Sequence, residues 1–230
     1  MNNRKLLIVC DVQPDVVNKL PQPRLFCDLV NLAVAAARQH GQTRIVYTQL
    51  RFPDGYDSIP PTHPRLGVLR KIPNAKWFTS SDLCIAGTCT DDSDKEILLT
   101  RTTFLPQADA QFIEALRPTN QGQGDEQQVV TVVGYGPTVQ TVCHLLGDIL
   151  AIPSVEIIKD CVADENAERC QAFLNHGLLF RETVLSMVDY LESLDLLHQR
   201  IDTIETATMT QDLPASAPPP NQYVCDVGRG

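Results

Sequence analysis

The fold follows from residues 6 to 13, Leu6-Leu7-Ile8-Val9-Cys10-Asp11-Val12-Gln13, where an apolar run stops at an acid. A second run stops at glycines and reads Val129-Val130-Thr131-Val132-Val133-Gly134-Tyr135-Gly136-Pro137-Thr138. Such runs are typical of buried parallel strands, whose carboxyl ends meet at the ligand crevice of an open α/β sheet. We therefore expect Asp11 and the turn at residues 134–141 to share one site.

Strand-like and helix-like segments alternate along the rest of the chain. The further strand candidates are residues 44–50, 96–101, 129–134 and 155–160, and the helix candidates are residues 25–40, 108–117, 139–150 and 181–199. The helix candidates carry apolar residues at helical spacing. This alternation predicts helices on both faces of a mostly parallel sheet of five or six strands.

Composition narrows the class of protein. The chain has 230 residues, 43% of them hydrophobic, which fits one α/β domain with a substantial core. The formal net charge is -9, with no clustered lysines or arginines, so we expect no nucleic-acid partner. Neither a signal peptide nor a membrane span is readable, so we expect no membrane association and a cytoplasmic location.

Two segments fall outside the α/β alternation. Residues 51–94 form a long irregular insertion, rich in proline and glycine, which is either a cover for the site or a surface for a partner. The domain is expected to span residues 1–201. Residues 202–230, with three consecutive prolines, are predicted to be a flexible tail or one that covers another subunit. Packing of these segments on a neighbouring copy would make the protein a homo-oligomer.

The eight cysteines are interpreted as buried free thiols, because several lie in strand or helix candidates. Cys84 and Cys89 lie close together and could instead pair or bind a metal ion. No second Cys or His pair follows at zinc spacing, so we expect no metal. We also expect no cofactor.

Three short motifs, taken in order, resemble those of one enzyme family. They are Asp11-Val12-Gln13 after the first strand, the glycine turn from Gly134, and Asp160-Cys161-Val162-Ala163-Asp164 after the fifth strand. Together they resemble the isochorismatase-like cysteine hydrolases of the nicotinamidase/isochorismatase superfamily. The resemblance implies a three-layer α/β/α, Rossmann-like fold. It also implies a catalytic triad of Asp, Lys and Cys, with Asp11 as the general base.

Two members of that triad are replaced in this chain. Arg101, in Arg101-Thr102-Thr103-Phe104, takes the place of the family's Lys. Placing Gly134 on the family's glycine puts Gln140 at the position of the nucleophilic Cys, and a shift of one residue puts Thr141 there. The nearest thiol is Cys143, about one helical turn later, which is an alternative nucleophile and also a candidate core residue.

The resemblance also implies which residues bind a substrate. In the family, the turn before the catalytic helix contains a cis peptide bond and aims backbone N–H groups at the substrate. This assigns substrate binding to the residues of the turn and to two polar neighbours, namely Tyr135, Gly136, Pro137, Thr141 and Gln13. Members that act on nicotinamide carry an Asp and two His for a metal after the second strand, where this chain has Gln49 and, nearby, only His63.

Three functional hypotheses follow. In the first, the triad has decayed to Asp11, Arg101 and Gln140, and the protein binds a small-molecule ligand or a partner without thiol chemistry. In the second, Asp11 hydrolyses a vinyl ether without a covalent intermediate, as in isochorismatase-type members, and Arg101 binds a substrate carboxylate. In the third, Cys143 hydrolyses an amide after a local shift of its helix.

Overall fold

Six parallel strands form one sheet in the order β3-β2-β1-β4-β5-β6. This computed structural model describes residues 5–52, 55–56, 59, 62, 67–72, 77–79, 82–87, 95–102, 110–116, 128–176 and 182–196. The strands are β1 (Lys5–Cys10), β2 (Thr43–Leu50), β3 (Glu96–Arg101), β4 (Val129–Tyr135), β5 (Ser154–Ala163) and β6 (Thr183–Leu185). The predicted parallel sheet is confirmed, with six strands.

Helices cover both faces of the sheet. They are α1 (Pro14–Val17), α2 (Pro23–His40), α3 (Ala110–Leu116), α4 (Gly136–His144), α5 (Ala167–His176) and α6 (Met187–Ser193). The core on one face is filled from α2 and α6, and the core on the other from α3, α4 and α5. The three-layer α/β/α prediction is therefore confirmed. Two short helical turns, Leu69–Lys71 and Leu145–Ile149, also occur among the described residues.

The helix α2 shows why the sequence folds as it does. Pro23 occupies its first turn, where the missing N–H costs no hydrogen bond. Gly41 ends it in the left-handed conformation, with φ of 71°. Between these ends, one apolar stripe is buried against the sheet and contains Phe26, Val30, Ala33, Val34 and Ala37.

Strand order reverses between β1 and β4, which lie side by side at the centre of the sheet. In open parallel sheets, the crevice at such a reversal is the usual ligand position. Part of the 51–94 insertion packs there. Phe52, Tyr56, Ile59 and Phe78 form an apolar cluster with Val16 and Leu50, against which Tyr135 also packs. These four residues of the insertion therefore lie over the carboxyl ends of the strands.

The predicted helix at residues 181–199 is wrong in its extent. Residues Thr183–Leu185 form β6 beside β5, and α6 begins only at Met187. The cause is a capping box, in which the Ser186 hydroxyl accepts from the N–H of Asp189 and the Asp189 carboxylate accepts from the N–H of Ser186. The residues predicted as a tail, 202–230, lie outside the described part of the chain. No helix among the described residues is long and apolar enough to cross a membrane.

Candidate functional site

The site begins where β1 ends. Asp11 follows Cys10 directly and adopts a left-handed backbone with φ of 51°, which Asp tolerates better than most residues. Its N–H donates to the Thr48 carbonyl of β2 at 3.1 Å. The turn therefore keeps Asp11 fastened to the neighbouring strand while its carboxylate stays at the carboxyl end of the sheet.

The Asp11 carboxylate is enclosed by three polar side chains from three different elements. Arg101 at the end of β3 donates from Nη2 to Oδ2. The Thr138 hydroxyl of α4 donates to the same oxygen at 2.6 Å, and the Thr48 hydroxyl donates to Oδ1 at 2.9 Å. Asp11 is 3% exposed and Arg101 is 1% exposed. Such a buried ion pair is held by its hydrogen bonds, because isolated buried charges are costly.

Gln13 lies beside this centre but is occupied by the backbone. Its side-chain nitrogen donates to the Leu50 carbonyl at 2.9 Å, and its side-chain oxygen accepts from the Leu50 N–H at 2.8 Å. The side chain is buried. This two-bond contact joins the segment after β1 to the end of β2.

The turn between β4 and α4 requires its glycines. A Cβ at Gly134, where φ is 120°, would lie 2.2 Å from the Cys10 carbonyl oxygen. A Cβ at Gly136 would lie 3.3 Å from the Ala163 carbonyl oxygen. The peptide bonds of this turn are trans, so the expected cis bond at Tyr135-Gly136 or Gly136-Pro137 is wrong. The helix starts directly at Gly136 with Pro137 in its first turn, and this requires no cis bond.

The two candidate nucleophile positions lie on different sides of α4. Thr138 faces Asp11, and a residue two positions later points to another side of a helix, whereas one three positions later shares the side. Gln140 is accordingly exposed. Thr141 is half-buried, and its hydroxyl donates to the Pro137 carbonyl at 2.9 Å. Thr141 thus lies on the Asp11 side of the helix, and Gln140 does not.

Cys143 lies inside the core on the α3, α4 and α5 side, with 2% of its surface exposed. Burial raises the pKa of its thiol well above the usual range, and the negative charge of Glu182 raises it further. Cys10, next to Asp11, is also fully buried, and desolvation likewise raises its pKa. Neither thiol is therefore a ready thiolate at neutral pH.

The sequence predicts no metal site after the second strand, where the nicotinamide-acting members of the family carry their metal ligands. Gln49 is buried on β2, and its side-chain nitrogen donates to the Thr100 hydroxyl at 2.6 Å. His63 lies outside the described residues. Within the described residues, no group of three His, Cys, Asp or Glu side chains could hold a metal ion.

Of the four residues at this centre, sequence analysis identified Asp11 and Arg101 but did not identify Thr48 and Thr138. Thr48 lies level with Cys10 in the β1–β2 register, so it is next to Asp11 only because these strands pair. Thr138 belongs to the glycine turn, but the resemblance gives it no catalytic role. Strand register was the signal that could have found Thr48.

One cavity of about 300 Å³ opens at the carboxyl end of β5, between the start of α2 and α5. Its wall is mainly apolar, with three charged residues, and includes Leu20, Phe26, Leu29, Leu174, Lys159, Asp160 and Asp164. Asp164 is paired with Arg169, and Asp160 accepts from the N–H of Met187. Neither Asp11 nor Arg101 lines this cavity.

Solved structures that match the chain share its architecture. A cysteine hydrolase from Pseudomonas syringae pv. phaseolicola 1448A matches with a TM-score of 0.62 and 10% identity, covering 84% of this chain and 92% of its own. An isochorismatase family protein from Burkholderia thailandensis matches with a TM-score of 0.56 and 14% identity, covering 85% and 97%. MAR1 ribonuclease from Caenorhabditis elegans matches with a TM-score of 0.52 and 14% identity, covering 96% and 98%.

The comparisons by sequence give no match, either to a family model or to a curated protein. The likeness is therefore one of three-dimensional structure, and it spans most of this chain and of each neighbour. The parallel six-stranded sheet, its two helical layers and these neighbours agree with one another. The chain has the isochorismatase-like hydrolase fold.

Proposed function

We propose that this protein binds a small-molecule ligand on an isochorismatase-like fold and does not hydrolyse substrates through a thiol. The observation that carries the proposal is the enclosed Asp11 carboxylate. Its Oδ2 accepts from Arg101 and Thr138, its Oδ1 accepts from Thr48, and 3% of the residue is exposed. A general base needs an oxygen within reach of the substrate proton, and burial together with these three hydrogen bonds keeps this carboxylate away from the surface.

Arg101 and α4 support the same conclusion. Arg keeps its proton at all physiological pH values, so it stabilises the buried carboxylate as an ion-pair partner and cannot act as a proton donor. At the family's nucleophile position, the side chains are Gln140 and Thr141. The Thr141 hydroxyl is bonded to Pro137, and no His accompanies it as a base in the contacts of the described residues. Cys143 is supported neither by its position nor by its pKa.

The cavity at the end of β5 is the place we propose for the ligand. Its volume, about 300 Å³, is at the lower end of the range for small-molecule sites. Its apolar wall and charged rim favour a small, mainly apolar molecule with one polar group. Ribonuclease activity, named for three structural neighbours, is not proposed for this chain, because its net charge of -9 disfavours RNA binding.

A second candidate function is hydrolysis by Asp11 without a thiol. The left-handed backbone of Asp11 favours it, since strained residues cluster at functional sites. In this case, a substrate would displace Thr138 or Thr48 from the carboxylate, and Arg101 would bind a substrate carboxylate. Asp11→Asn would then abolish turnover.

Two measurements test the proposal. The first is ligand screening by thermal shift with wild type, Ala167→Trp at the cavity wall and Ala172→Trp on the exposed side of the same helix. We expect hits that Ala167→Trp loses and Ala172→Trp keeps. Equal loss, or no loss, in both variants would place the ligand elsewhere.

The second measurement is hydrolysis of small amides and vinyl ethers by wild type, Asp11→Asn and the exposed control Asp28→Asn. We expect no turnover above buffer in any of them. Turnover that is lost only in Asp11→Asn would establish the second candidate function. Turnover that requires Cys143 would overturn both.

A further inference from the structure

Two cysteines from distant parts of the chain meet beside α2. Cys27 lies in the first half of α2, and Cys84 lies in the described segment 82–87 of the insertion. The Cys84 carbonyl accepts a hydrogen bond from Asn31, one turn after Cys27, and the Cys84 thiol lies near enough to the Cys27 thiol to lower its pKa. Both residues are half-buried, both pack against the same apolar core, and neither is in a disulfide. A small oxidant could therefore reach the pair.

The segment 82–87 is bonded to α2 from Cys84 onwards. Asn31, one turn after Cys27, donates to the Cys84 carbonyl at 3.4 Å and accepts from the Ala86 N–H at 2.7 Å. Arg38 donates to the carbonyls of Ala86 and Gly87 at 2.8 Å and 2.6 Å. These bonds hold the segment that carries Cys84 against the helix that carries Cys27.

The pKa of the Cys27 thiol differs in direction from the pKa values of the thiols in the core. The hydrogen bond from Cys84 lowers the pKa of Cys27, against the opposing effect of burial. Burial raises the pKa of Cys10, Cys143 and Cys161. Cys27 is thus better suited than these to be the attacking thiolate.

We propose that Cys27 and Cys84 form a reversible disulfide that fixes the 82–87 segment to α2. The Cys27 thiolate attacks one sulfur of glutathione disulfide, and the S–S bond breaks to release one glutathione thiolate. Cys84 then gives up its proton and attacks the Cys27 sulfur of the mixed disulfide, which releases the second glutathione thiolate. Two electrons pass to glutathione disulfide, and the protons of the two protein thiols pass to the two glutathione thiolates.

The link connects the redox state to the region of Asp11. The Cys84 N–H donates to the Val12 carbonyl at 2.8 Å, and Val12 directly follows Asp11. Oxidation therefore fixes the segment that is bonded to the turn carrying Asp11. In the reduced protein, this segment is held by hydrogen bonds and by the packing of Ile85 in the core. The proposal is independent of which ligand the protein binds.

The test is an equilibration of the full chain with mixtures of reduced and oxidised glutathione, followed by alkylation and non-reducing peptide mapping. We expect a peptide linking Cys27 to Cys84, an intact mass lower by about 2 Da, and a Tm raised by about 5 °C or more. Cys27→Ser and Cys84→Ser should each abolish the linked peptide and the rise in Tm. Cys170→Ser, which alters another half-buried thiol, should keep both.

Three results would overturn the proposal: a disulfide between Cys84 and Cys89, glutathione adducts that never resolve into a protein disulfide, or oxidation that leaves both thiols alkylable. A second readout guards against variants that do not fold. In wild type, limited proteolysis within residues 51–94 should slow on oxidation and recover on reduction. Unchanged cleavage would mean that oxidation does not fix the 82–87 segment to α2.

Discussion

The Asp11 carboxylate depends on two hydroxyl groups that no sequence motif marks. Thr138 gives its proton to Oδ2 and Thr48 gives its proton to Oδ1. A hydrogen bond to a charged group contributes about 1.5–3 kcal/mol to stability, roughly twice a neutral one. The two hydroxyls therefore add to the ion pair in fixing the ends of β1, β2 and α4 against one another.

Thr138→Val is expected to lower the free energy of unfolding by about 1.5–3 kcal/mol, because the isosteric valine removes only the hydroxyl. Urea unfolding followed by circular dichroism measures the loss. The matched control is Thr141→Val in the same helix, whose hydroxyl bonds to a carbonyl of its own helix and should matter by less than about 0.5 kcal/mol. Equal losses in the two variants would mean that Thr138 does not hold the carboxylate.

The structure brings together Asp11, which stood out in the sequence as an acid that ends an apolar run, and Arg101, which was found through the resemblance of its segment to the family's Lys motif. Prediction from sequence failed for the two threonines. Thr is common in strands and in first helical turns, so its presence carries no signal until the register Cys10 to Thr48 is known. The buried position of Cys143, by contrast, followed from its place in an apolar helix.

Among the secondary-structure elements, β1 and β4 leave no space between them for a side chain at Gly134. Gly134→Ala is expected to cost more than about 3 kcal/mol, because its Cβ would overlap the Cys10 backbone at 2.2 Å and because φ is 120°. Yield of folded protein and thermal unfolding measure the effect. Gly41→Ala, at the end of α2 with φ of 71° and no neighbour nearer than 4.0 Å, should cost only about 1 kcal/mol. Comparable losses of stability in Gly134→Ala and Gly41→Ala would mean that β1 and β4 can move apart to make room for a side chain.

The start of α5 gives a pH-dependent prediction. Burial alone would raise the pKa of Asp164, but hydrogen bonds from Arg169 and from the Asn166 N–H lower it below its usual value. A lowered pKa in the folded state adds stability above the unfolded pKa of about 4, and this stability disappears as pH falls through the folded pKa.

Asp164→Asn should therefore destabilise the protein by about 1–3 kcal/mol at pH 7 and by much less near pH 3. Denaturant unfolding at both pH values gives the two differences. Glu165→Gln, at an exposed neighbour, serves as the control and should change little at either pH. A cost for Asp164→Asn that does not change with pH would mean that the charge of Asp164 is not what stabilises the start of α5.

The secondary-structure elements that were predicted from the sequence and those that were missed differ in how many apolar residues they bury. The helix α2 was predicted because its sequence carries a continuous apolar stripe, and this stripe is buried in the structure. The helix α5 was missed because its sequence is largely polar and Phe173 is its one buried residue. The strand β6 has three residues and exists through pairing with β5, which no local pattern records.

For the molecule as a whole, we propose a homo-oligomer. Several large apolar side chains outside the core are about half exposed, namely Leu25, Val68, Ile72 and Trp77. We expect light scattering at micromolar concentration to give a mass above the 25.5 kDa of one chain. The double variant Val68→Asp/Ile72→Asp should shift the mass towards the monomer, and Val188→Asp on α6 serves as the exposed apolar control. A monomeric wild type would remove the proposal.

The contact between Gln13 and Leu50 changes what the Asp-x-Gln motif means in this chain. The amide of Gln13 presents one donor and one acceptor to Leu50, as a further residue of a paired strand would. The Gln13 side chain thus adds one more pair of hydrogen bonds to β2. This pair lies beyond Asp11, where the backbone of β1 has already left the sheet. A motif that completes a sheet in this way has a structural role that does not depend on hydrolysis. Its presence in a distant sequence is thus a marker of architecture, and activity has to be inferred from the helix that follows β4.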